Sequence, residues 1–372
     1  MAKLSYKELE SYVSNVVTLT KLSNDTFSVT RDNIVALVDK IGLIKTVDTV
    51  YNVDKLARFD GEYLSDAKTV EEWQADLIMV ENYDPTGANA LAPHYSTFRP
   101  NFYSYTLGKK IIKQTIPNNN IERAVHFAEQ LSGIVAMLIK RIQDSMAVYR
   151  YQVKREMLGK FIAQCDYEMD ATNATSYAIS THFAVNALVK NGSPAVVGIV
   201  VKDIPATNTD SWADKVADGS IILLDLVSEL AIPVDASTGE AFIEQLKKDV
   251  EIGRDLSEGH SLNGNTLGAV EDLVLIVKQG VIPSLEVQTW AGAFQRQDVA
   301  LPAEVITVKD FGSADADYYA VLMDSRAMRL HNTYRATREN FNGAGDFLNL
   351  YEHTEDTAWI SRNCFIKVYK DV

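Results

Sequence analysis

Cysteine and long apolar runs are scarce in this sequence, and each shortage excludes a class of protein. The 372 residues include only two cysteines, Cys165 and Cys364, which stand far apart in the chain. Two distant cysteines do not make a disulfide framework or a set of zinc ligands, so we expect buried thiols in a reducing compartment. The longest apolar run, AVVGIVV at 195–201, falls short of the roughly 20 residues that a membrane helix needs. Because the charged start MAKLSYKELESYV is unlike a signal peptide, we expect a soluble protein that is made in the cytoplasm and contacts no membrane.

Recognisable catalytic and cofactor-binding motifs are missing as well. The sequence has no G-x-x-x-x-G-K-[ST] phosphate loop, no G-x-G-x-x-G and no H-E-x-x-H, and its six histidines share no short metal-ligand spacing. SDAK at 65–68 and GHSLNG at 259–264 match serine-enzyme motifs only in part, and we interpret both as chance matches, the second in a polar loop. EHTED at 352–356 could bind a hard cation, but a solvated turn is the favoured interpretation. We therefore predict that the protein is not an enzyme and has no catalytic residues, no cofactor and no metal.

Acidic residues outnumber basic ones, 50 to 36, which makes the net charge −14. Such a chain should not bind nucleic acid through bulk attraction, although it could lie close to DNA without adhering to it. The acids are concentrated between 60 and 84, where eight of them accompany a single base, Lys68. Strand-like runs accompany this stretch, and a long two-stranded excursion is only marginally stable alone. We expect it to need another surface to lie on.

A long helix is the strongest pattern in the sequence. Apolar residues recur at intervals of three and four from Ile121 to Phe161, and Gly133 is a candidate break in the run. The stretch 131–165 would span roughly 50 Å as a helix. One face of this helix is apolar, and the other is basic because six bases and two acids lie between 140 and 160.

Downstream of this helix, strand-like and helical segments alternate up to about residue 320, which predicts a mixed α/β layer. The predicted strands are AVVGIVV, EDLVLIVKQG and EVITVKD, and the predicted helices are GEAFIEQLKKDVEIGRDL and SLEVQTWAGAFQ. After Tyr318 the pattern returns to strands, with the turn signal NGAG at 342–345. Near the start of the chain, RDNIVALVDKIG at 31–42 is predicted to be a short helix and IKTVDTVYNV at 44–53 a strand.

The order of these elements resembles that of the Hong Kong 97 type of phage major capsid protein. Four stretches carry the resemblance, which is greatest to short-tailed (podovirus), phi 29-like phages: NIVALVDKIGLIKTV at 33–47, GIVAMLIKRIQDSMAVYRYQVKREMLGKFI at 133–162, VEDLVLIVKQGVIPSLEVQTWAGAFQ at 270–295, and the strand-rich segment 317–370. In the family these correspond to the short helix entering an extended excursion, the spine helix, a strand and helix of the central domain, and the terminal strands.

The resemblance implies an α+β, HK97-like capsid fold. We expect an N-terminal arm at 1–45, an extended β-hairpin called the E-loop at 46–112, and a P-domain with its long spine helix at 113–165. An α/β A-domain at 166–320 and the return strands of the P-domain with the C-terminal strand at 321–372 complete this division. No appended immunoglobulin-like domain is recognisable, and no partner can be assigned for a covalent Lys–Asn cross-link to Lys55 or Lys68.

The function implied is that of a major capsid protein that self-assembles into the hexamers and pentamers of an icosahedral phage head around double-stranded DNA. Its expected partners are other copies of itself, a separate scaffolding protein, a portal protein, and packaged DNA bound weakly and without sequence specificity. We expect it in the virion, after assembly in the cytoplasm of the host bacterium. Two alternatives stay open: an encapsulin-like compartment of the same fold that encloses enzyme cargo, and an α/β enzyme whose site the motifs do not reveal.

Charged residues supply the candidate sites of this function. We predict that acids of the excursion contact arginines of the terminal strands in a neighbouring copy. The predicted contact residues are Asp60, Glu62, Glu71, Glu72, Arg326, Arg329, Arg335 and Arg338. Three bases of the spine helix are predicted to form a basic stripe that faces the lumen and its DNA: Arg150, Lys154 and Arg155. Each of these charged groups taken alone could also be part of an ordinary solvated face.

Overall fold

The computed structural model describes residues 54–65, 69–75, 80, 83, 98–103, 107–117, 128–264, 268–282, 303–312 and 317–372. The helix predicted at 31–42, the strand predicted at 44–53 and the helix predicted at 284–295 lie outside these residues, as does most of SDAK at 65–68. The chain divides into two compact units. The first contains Met1–Tyr51, Gln114–Arg141 and Glu339–Asn349, and the second contains Asn52–Lys113, Ile142–Arg338 and Leu350–Val372.

Strands and helices are numbered here over the described residues. The strands are β1 (Val70–Ala75), β2 (Phe98–Tyr103), β3 (Lys110–Pro117), β4 (Thr175–Ser176), β5 (Leu188–Asn191), β6 (Val196–Val200), β7 (Ile221–Leu223), β8 (Val227–Glu229), β9 (Leu273–Lys278), β10 (Glu304–Val308), β11 (Tyr318–Asp324), β12 (Met328–Asn342), β13 (Phe347–Ile360) and β14 (Ile366–Lys370). The α-helices are α1 (Ala128–Met169), α2 (Trp212–Ala217) and α3 (Ala236–Arg254), and a short 3-10 helix spans Ala57–Phe59.

A five-stranded sheet of the second unit has the strand order β10-β9-β11-β14-β8. β11 pairs antiparallel with β9 and with β14, while the outer pairs β10–β9 and β14–β8 are parallel. All seven residues of β11 are buried, and so are the first five residues of β9. Strands with such continuous apolar burial indicate a sheet that is covered on both faces.

Two helices provide that cover. Successive side chains of a strand point to opposite faces of the sheet, and the buried side chains divide accordingly. Val321 of β11 belongs to an apolar cluster that includes Phe161 of α1. Its neighbour Leu322 belongs to a second cluster, which includes Phe242 of α3. The α/β layer predicted from the alternation of strands and helices is therefore present.

Both long helices overlap the stretches predicted to form them, and α3 ends two residues before its predicted stretch does. α1 contains the predicted stretch 131–165 and continues through Gly133 without a break. α3 begins at a capping box, in which the Asp235 carboxylate accepts a hydrogen bond from the Thr238 N–H at 2.8 Å. The Thr238 hydroxyl oxygen in turn accepts a hydrogen bond from the Asp235 N–H at 3.1 Å. These two bonds satisfy two backbone N–H groups that have no acceptor within the helix itself. Strands β6, β9 and β10 coincide with the three predicted strands.

The remaining strands form smaller sheets. β4 to β7 form a four-stranded sheet in chain order, β12-β13-β3 is three-stranded, and β1 pairs with β2 alone. Within the first unit, the predicted NGAG turn joins β12 to β13. The side-chain oxygen of Asn342 accepts hydrogen bonds there from the N–H groups of Ala344 at 3.1 Å and Gly345 at 3.0 Å, which is how asparagine commonly closes a turn.

Candidate assembly surfaces

The β1–β2 hairpin has two unlike faces. In its antiparallel register Glu71 lies opposite Phe102, and Trp73 lies opposite Pro100. Directly opposed residues share a face, and successive residues alternate between faces. We call the face formed by Glu71, Trp73, Pro100 and Phe102 the outer face. The inner face includes Glu72, Asn101 and Tyr103.

The inner face is bound to the connection between β13 and β14. The Glu72 carboxylate accepts hydrogen bonds from the Tyr103 hydroxyl at 2.9 Å, from the Ser361 hydroxyl at 2.8 Å and from the Asn363 amide at 3.0 Å. The Tyr103 hydroxyl oxygen also accepts the Arg362 N–H at 3.0 Å. Burial, with a smaller contribution from the Glu72 charge, raises the pKa of Tyr103 to about 12. Its hydroxyl therefore stays a donor at neutral pH, and the hairpin is anchored by polar contacts.

The outer face exposes large aromatic side chains. Trp73 is 61% exposed and Phe102 is 64% exposed in the single chain. A cavity of about 330 Å³ lies beside Phe102 at the end of β2, between β2, α1 and β13. Its lining is mainly apolar and consists of Phe102, Tyr103, Met157, Lys160, Ala358, Trp359 and Ile360. Aromatic side chains exposed beside an apolar cavity are typical of a surface that contacts another protein.

The segment that leads towards the hairpin is held between α1 and β12. Lys154 of α1 is fully buried and donates to the carboxylates of Asp54 and Asp60 and, at 3.1 Å, to the backbone oxygen of Leu56. A buried ammonium is tolerated only with such partners. Arg150 also donates to Asp60, at 3.0 Å.

Backbone hydrogen bonds attach the same segment to β12. The N–H of Gly61 donates to the oxygen of Leu330 at 2.9 Å, and the N–H of Leu64 donates to the oxygen of Asn332 at 3.0 Å. Residues 60–64 therefore lie along β12 as a short extra strand would. This contact fixes the position of the segment that precedes the hairpin.

The prediction that EHTED at 352–356 forms a solvated turn is wrong. β13 runs through these residues, and the side chain of Glu352 is buried. Burial alone would raise the pKa of Glu352, but hydrogen bonds from Thr337 and Arg335 of β12 outweigh burial and lower it. Asp356 is buried too and accepts a hydrogen bond from the Asn332 amide at 3.1 Å. Donors from the facing strand, which are distant in sequence, make this burial possible.

Metal binding has no support in the part of the chain that the structure describes. No three His, Cys, Asp or Glu side chains are gathered there as metal ligands would be. Nor does any described helix have a stretch long and apolar enough to span a membrane.

A model of the Phi29-like phage major capsid protein family matches residues 6–193 and 255–364, which is well over half of the chain. The chain belongs to the Phi29-like phage major capsid protein family. No curated protein matches this capsid protein. The predictions of family, fold class and general function are confirmed: the fold is of the Hong Kong 97 type, and the protein builds an icosahedral phage shell and is part of the virion. The encapsulin-like alternative is not favoured.

Two solved structures show the likeness in fold. One chain described as "Capsid structure of Staphylococcus phage Andhra" is 10% identical, with a TM-score of 0.53, and the match covers 89% of the capsid protein and 88% of that chain. One chain of "Structure of head fiber and inner core protein gp22 of native bacteriophage P68" is 12% identical, with a TM-score of 0.50 and coverage of 95% and 90%. At such low identity the likeness concerns the fold alone.

The predicted acidic contact residues differ in their surroundings. Asp60 and Glu72 are engaged within the capsid protein chain, Asp60 with Arg150 and Lys154 and Glu72 with the β13–β14 connection. Glu62 and Glu71 are exposed. The structure thus brings two of the four acids to partners other than the predicted arginines.

The predicted arginines differ in the same way. Arg326 bonds the buried Asp324 at 2.8 Å, Arg329 donates to backbone oxygens that include that of Met328 at 3.1 Å, and Arg335 pairs with Glu352. Arg338 lies on an exposed part of β12. Whether any of these residues contacts a neighbouring copy stays a prediction.

The predicted basic stripe needs a correction at Lys154. Its side chain is fully buried among carboxylates of its own chain and so does not lie on an exposed face. Arg150 and Arg155 are partly exposed, and Arg155 pairs with Asp310. Their lumen-facing role stays a prediction. Helical periodicity separates an apolar from a basic face, but it does not reveal that a charged residue at their border is covered by another segment.

Sequence reasoning also missed the aromatic residues of the hairpin. VEEWQA in β1 and FRPNFY in β2 both alternate, and that signal was present in the sequence. It could have placed Trp73 and Glu72 on opposite faces. Only the strand register shows that Phe102 shares the face of Trp73.

Proposed function

We propose that the capsid protein forms the hexamers and pentamers of a head that encloses double-stranded DNA, and that the outer face of the hairpin contacts a neighbouring copy. The exposure of Trp73 and Phe102 on a hairpin whose polar face is bound to its own chain carries this proposal. A hairpin usually buries its apolar face and leaves its polar face in water. The reverse arrangement is stable when a second protein covers the apolar face.

The expected free-energy contributions favour the aromatic contact over the ionic contacts predicted from the sequence. Burying the exposed parts of a tryptophan and a phenylalanine contributes on the order of several kcal/mol before the cost of ordering is subtracted. A single exposed ion pair contributes about 0.2–1 kcal/mol. We therefore assign the main contribution to Trp73 and Phe102. Glu62, Glu71 and Arg338, which are exposed, remain candidates for orienting charge contacts with the neighbouring copy.

The regions expected from the family resemblance fit this proposal. The hairpin lies within the proposed E-loop at 46–112, and α1 supplies the spine helix of the proposed P-domain at 113–165. The central five-stranded sheet combines strands of the proposed A-domain at 166–320 with β14 of the proposed return segment at 321–372. The N-terminal arm at 1–45 lies outside the described residues.

Further partners follow from the same proposal. We infer that assembly occurs in the cytoplasm of the host bacterium with a separate scaffolding protein and a portal protein, and that the protein has no enzymatic role. The net charge of −14 favours weak, non-specific contact with the packaged DNA, because most of the shell repels phosphates. Arg150 and Arg155 are the bases that could moderate this repulsion locally.

The proposal is tested by replacing both exposed aromatics, Trp73→Ser with Phe102→Ser. We expect the variant chain to fold with a free energy of unfolding lowered by about 1–3 kcal/mol, because the buried third of each ring is lost, and to lose most of its ability to form shells. Electron microscopy and sedimentation of protein expressed with and without a scaffolding protein measure shell formation. Leu256→Ser, at a residue that is 67% exposed elsewhere, is the matched control and should assemble normally. Shells of the double variant in the original yield would refute the contact.

A further inference from the structure

His331 occupies the centre of the contact between β12 and the segment that leads to the hairpin. Its neighbours in sequence, Leu330 and Asn332, accept the backbone hydrogen bonds from Gly61 and Leu64. Its ring lies between two groups: Nδ1 is 2.8 Å from the backbone oxygen of Glu62, and Nε2 is 2.9 Å from the indole Nε1 of Trp359. The half-buried ring therefore joins residues 60–64, the incoming segment that leads to the hairpin, to both β12 and β13.

The two partners permit a single protonation state of this ring. An indole N–H can only donate a hydrogen bond, and a backbone carbonyl oxygen can only accept one. Nε2 of His331 must therefore be unprotonated to accept from Trp359, and Nδ1 must carry the proton to donate to Glu62. This assignment follows from the partners. It requires the neutral imidazole.

We propose that His331 is the positioning residue of the hairpin and that it acts only while its imidazole is neutral. A second proton would sit on Nε2 and face the N–H of Trp359, so that two donors would meet at a distance of 2.9 Å without an acceptor between them. The hydrogen bond to Trp359 is then lost, and the ring must move. Histidine is the side chain that ordinarily changes its charge between about pH 5 and 8.

Movement of the ring cannot leave the incoming segment undisturbed. A Cβ atom added at Gly61 would lie 2.2 Å from Cε1 of His331, so the ring packs directly on the backbone of that glycine. On its other side, Trp359 stacks on Tyr103 with ring centroids 5.9 Å apart, and Tyr103 donates to Glu72. The ring of His331 thus connects residues 60–64 to the anchor of the hairpin's inner face.

Several charged or titratable groups lie on the elements packed around the ring. They include Asp60 and Glu62 of the incoming segment, Arg150 and Lys154 of α1, Arg329 of β12, Glu355 and Asp356 of β13, and Glu72 and Tyr103 of the hairpin. Asp60 is already paired with Arg150 and Lys154. The carboxylate of Glu62 is exposed, where attraction to a cation is screened by water.

This inference rests on the proposed function in one respect: release of residues 60–64 matters for assembly if the hairpin contacts a neighbouring copy. The expected behaviour of the chain itself does not depend on that contact. With the ring neutral the segment is held on β12, and addition of a second proton to the ring releases it.

Hydrogen–deuterium exchange of the full-length chain, followed by mass spectrometry of peptides covering 54–65, tests the inference. The amides of Gly61 and Leu64 report directly, because both donate to β12. After correction for the intrinsic pH dependence of exchange, we expect these amides to exchange about tenfold faster at pH 5 than at pH 8, since loss of one hydrogen bond shifts a local opening equilibrium by roughly that factor.

Two substitutions separate this mechanism from general acid instability. Trp359→Phe keeps a ring that can stack on Tyr103 but removes the N–H that a protonated His331 would face. The increase in exchange rate from pH 8 to pH 5, called the pH step, should therefore shrink. His331→Gln retains an acceptor and a donor but does not titrate in this range, so the step should disappear while protection at pH 8 is largely kept. His182→Gln is the matched control, because His182 pairs with Asp203 elsewhere on the surface, and it should retain the full step.

The outcomes are distinguishable from those of the assembly experiment. No pH step in the original chain, or an unchanged step in both the Trp359→Phe and His331→Gln variants, overturns the role of His331. A step that vanishes in His182→Gln does the same. If exchange behaves as expected but Trp73→Ser with Phe102→Ser still forms normal shells, the positioning role stands and the proposed hairpin contact fails.

Discussion

The central five-stranded sheet and the β1–β2 hairpin use similar apolar side chains in opposite ways. All seven residues of β11 are buried, with Val321 and Leu322 facing separate apolar clusters. In the hairpin, Trp73 and Phe102 remain 61% and 64% exposed. Residue type does not explain the difference. The sheet is covered by helices of its own chain, whereas no described element buries the outer face of the hairpin.

Different interactions hold the two regions in place as a result. The sheet depends on apolar burial, which contributes roughly 25 cal/mol per Å² removed from water. The hairpin depends on directional polar contacts, those of Glu72 with the β13–β14 connection and those of residues 60–64 with α1 and β12. A two-stranded hairpin is marginal alone. Polar anchoring can hold it in position while its apolar face stays open to a neighbouring copy.

The largest effect on folding is expected in the sheet. Leu322→Ala removes a fully buried side chain between β11 and α3 and should lower the free energy of unfolding by about 3 kcal/mol, because it leaves a cavity. Urea unfolding of the unassembled chain measures the change. Leu256→Ala, at an exposed leucine, should change stability by less than about 0.5 kcal/mol. Equal losses in the two variants would contradict the distinction between a covered sheet and an open surface.

A smaller effect is expected at the anchor of the hairpin. Glu72→Ala removes the acceptor shared by Tyr103, Ser361 and Asn363, and we expect a loss of about 1–2 kcal/mol because buried donors lose their partner. The neighbouring Glu71→Ala, on the exposed outer face, is the control and should leave the free energy of unfolding almost unchanged. The same urea titration compares them. A stability loss in Glu71→Ala as large as that in Glu72→Ala would mean that the two faces of the hairpin are wrongly assigned.

The smallest effect is expected in the rate at which the thiol of Cys364 is alkylated as the pH changes. Cys364 lies in the connection that joins the sheet to the hairpin anchor. Burial, then the nearby charges of Asp324 and Glu72, raises the pKa of Cys364 to about 11. The thiolate is the reactive form, so alkylation at pH 8 should be slow and should rise about tenfold per pH unit up to pH 10. An ordinary exposed thiol, with a pKa near 8.5, levels off above about pH 9.

Mass spectrometry of alkylated peptides measures this rate. The Cys364→Ser variant lacks this thiol, so the signal that it loses is the one that comes from Cys364. Cys165 is fully buried, and burial raises its pKa well above the ordinary value, so it should react more slowly still. A rate at Cys364 that reaches a plateau by pH 9 would show that the connection is open to water, and the anchor of the hairpin would then need revision.

Local patterns predicted the parts of this protein whose structure depends on neighbours in sequence. The three- and four-residue spacing of apolar residues predicted α1 and α3, short apolar runs predicted β6, β9 and β10, and NGAG predicted the turn at 342–345. The same stretches carried the resemblance to phage capsid proteins. These signals are readable because helices, turns and buried strands are formed by residues close together in the chain.

Contacts between distant segments were not readable in the same way. EHTED looks like a solvated turn because its donors, Arg335 and Thr337, belong to another strand. Lys154 looks like a member of an exposed stripe because the carboxylates that surround it come from residues 54–60. In both cases the cost of burying charge is offset by partners that only the folded chain supplies.

By itself, the sequence determined the class of protein, the long helix, the α/β layer and the family, because composition and periodicity are properties of the linear chain. Only the tertiary structure decided which acids are anchored, which aromatics stay exposed on the hairpin, and which nitrogen of His331 carries its proton. Each of those depends on strand register and on donors and acceptors brought together from segments as far apart as Glu62, His331 and Trp359. Hydrogen bonds act over about 3 Å, so their partners are known only once the fold has placed them.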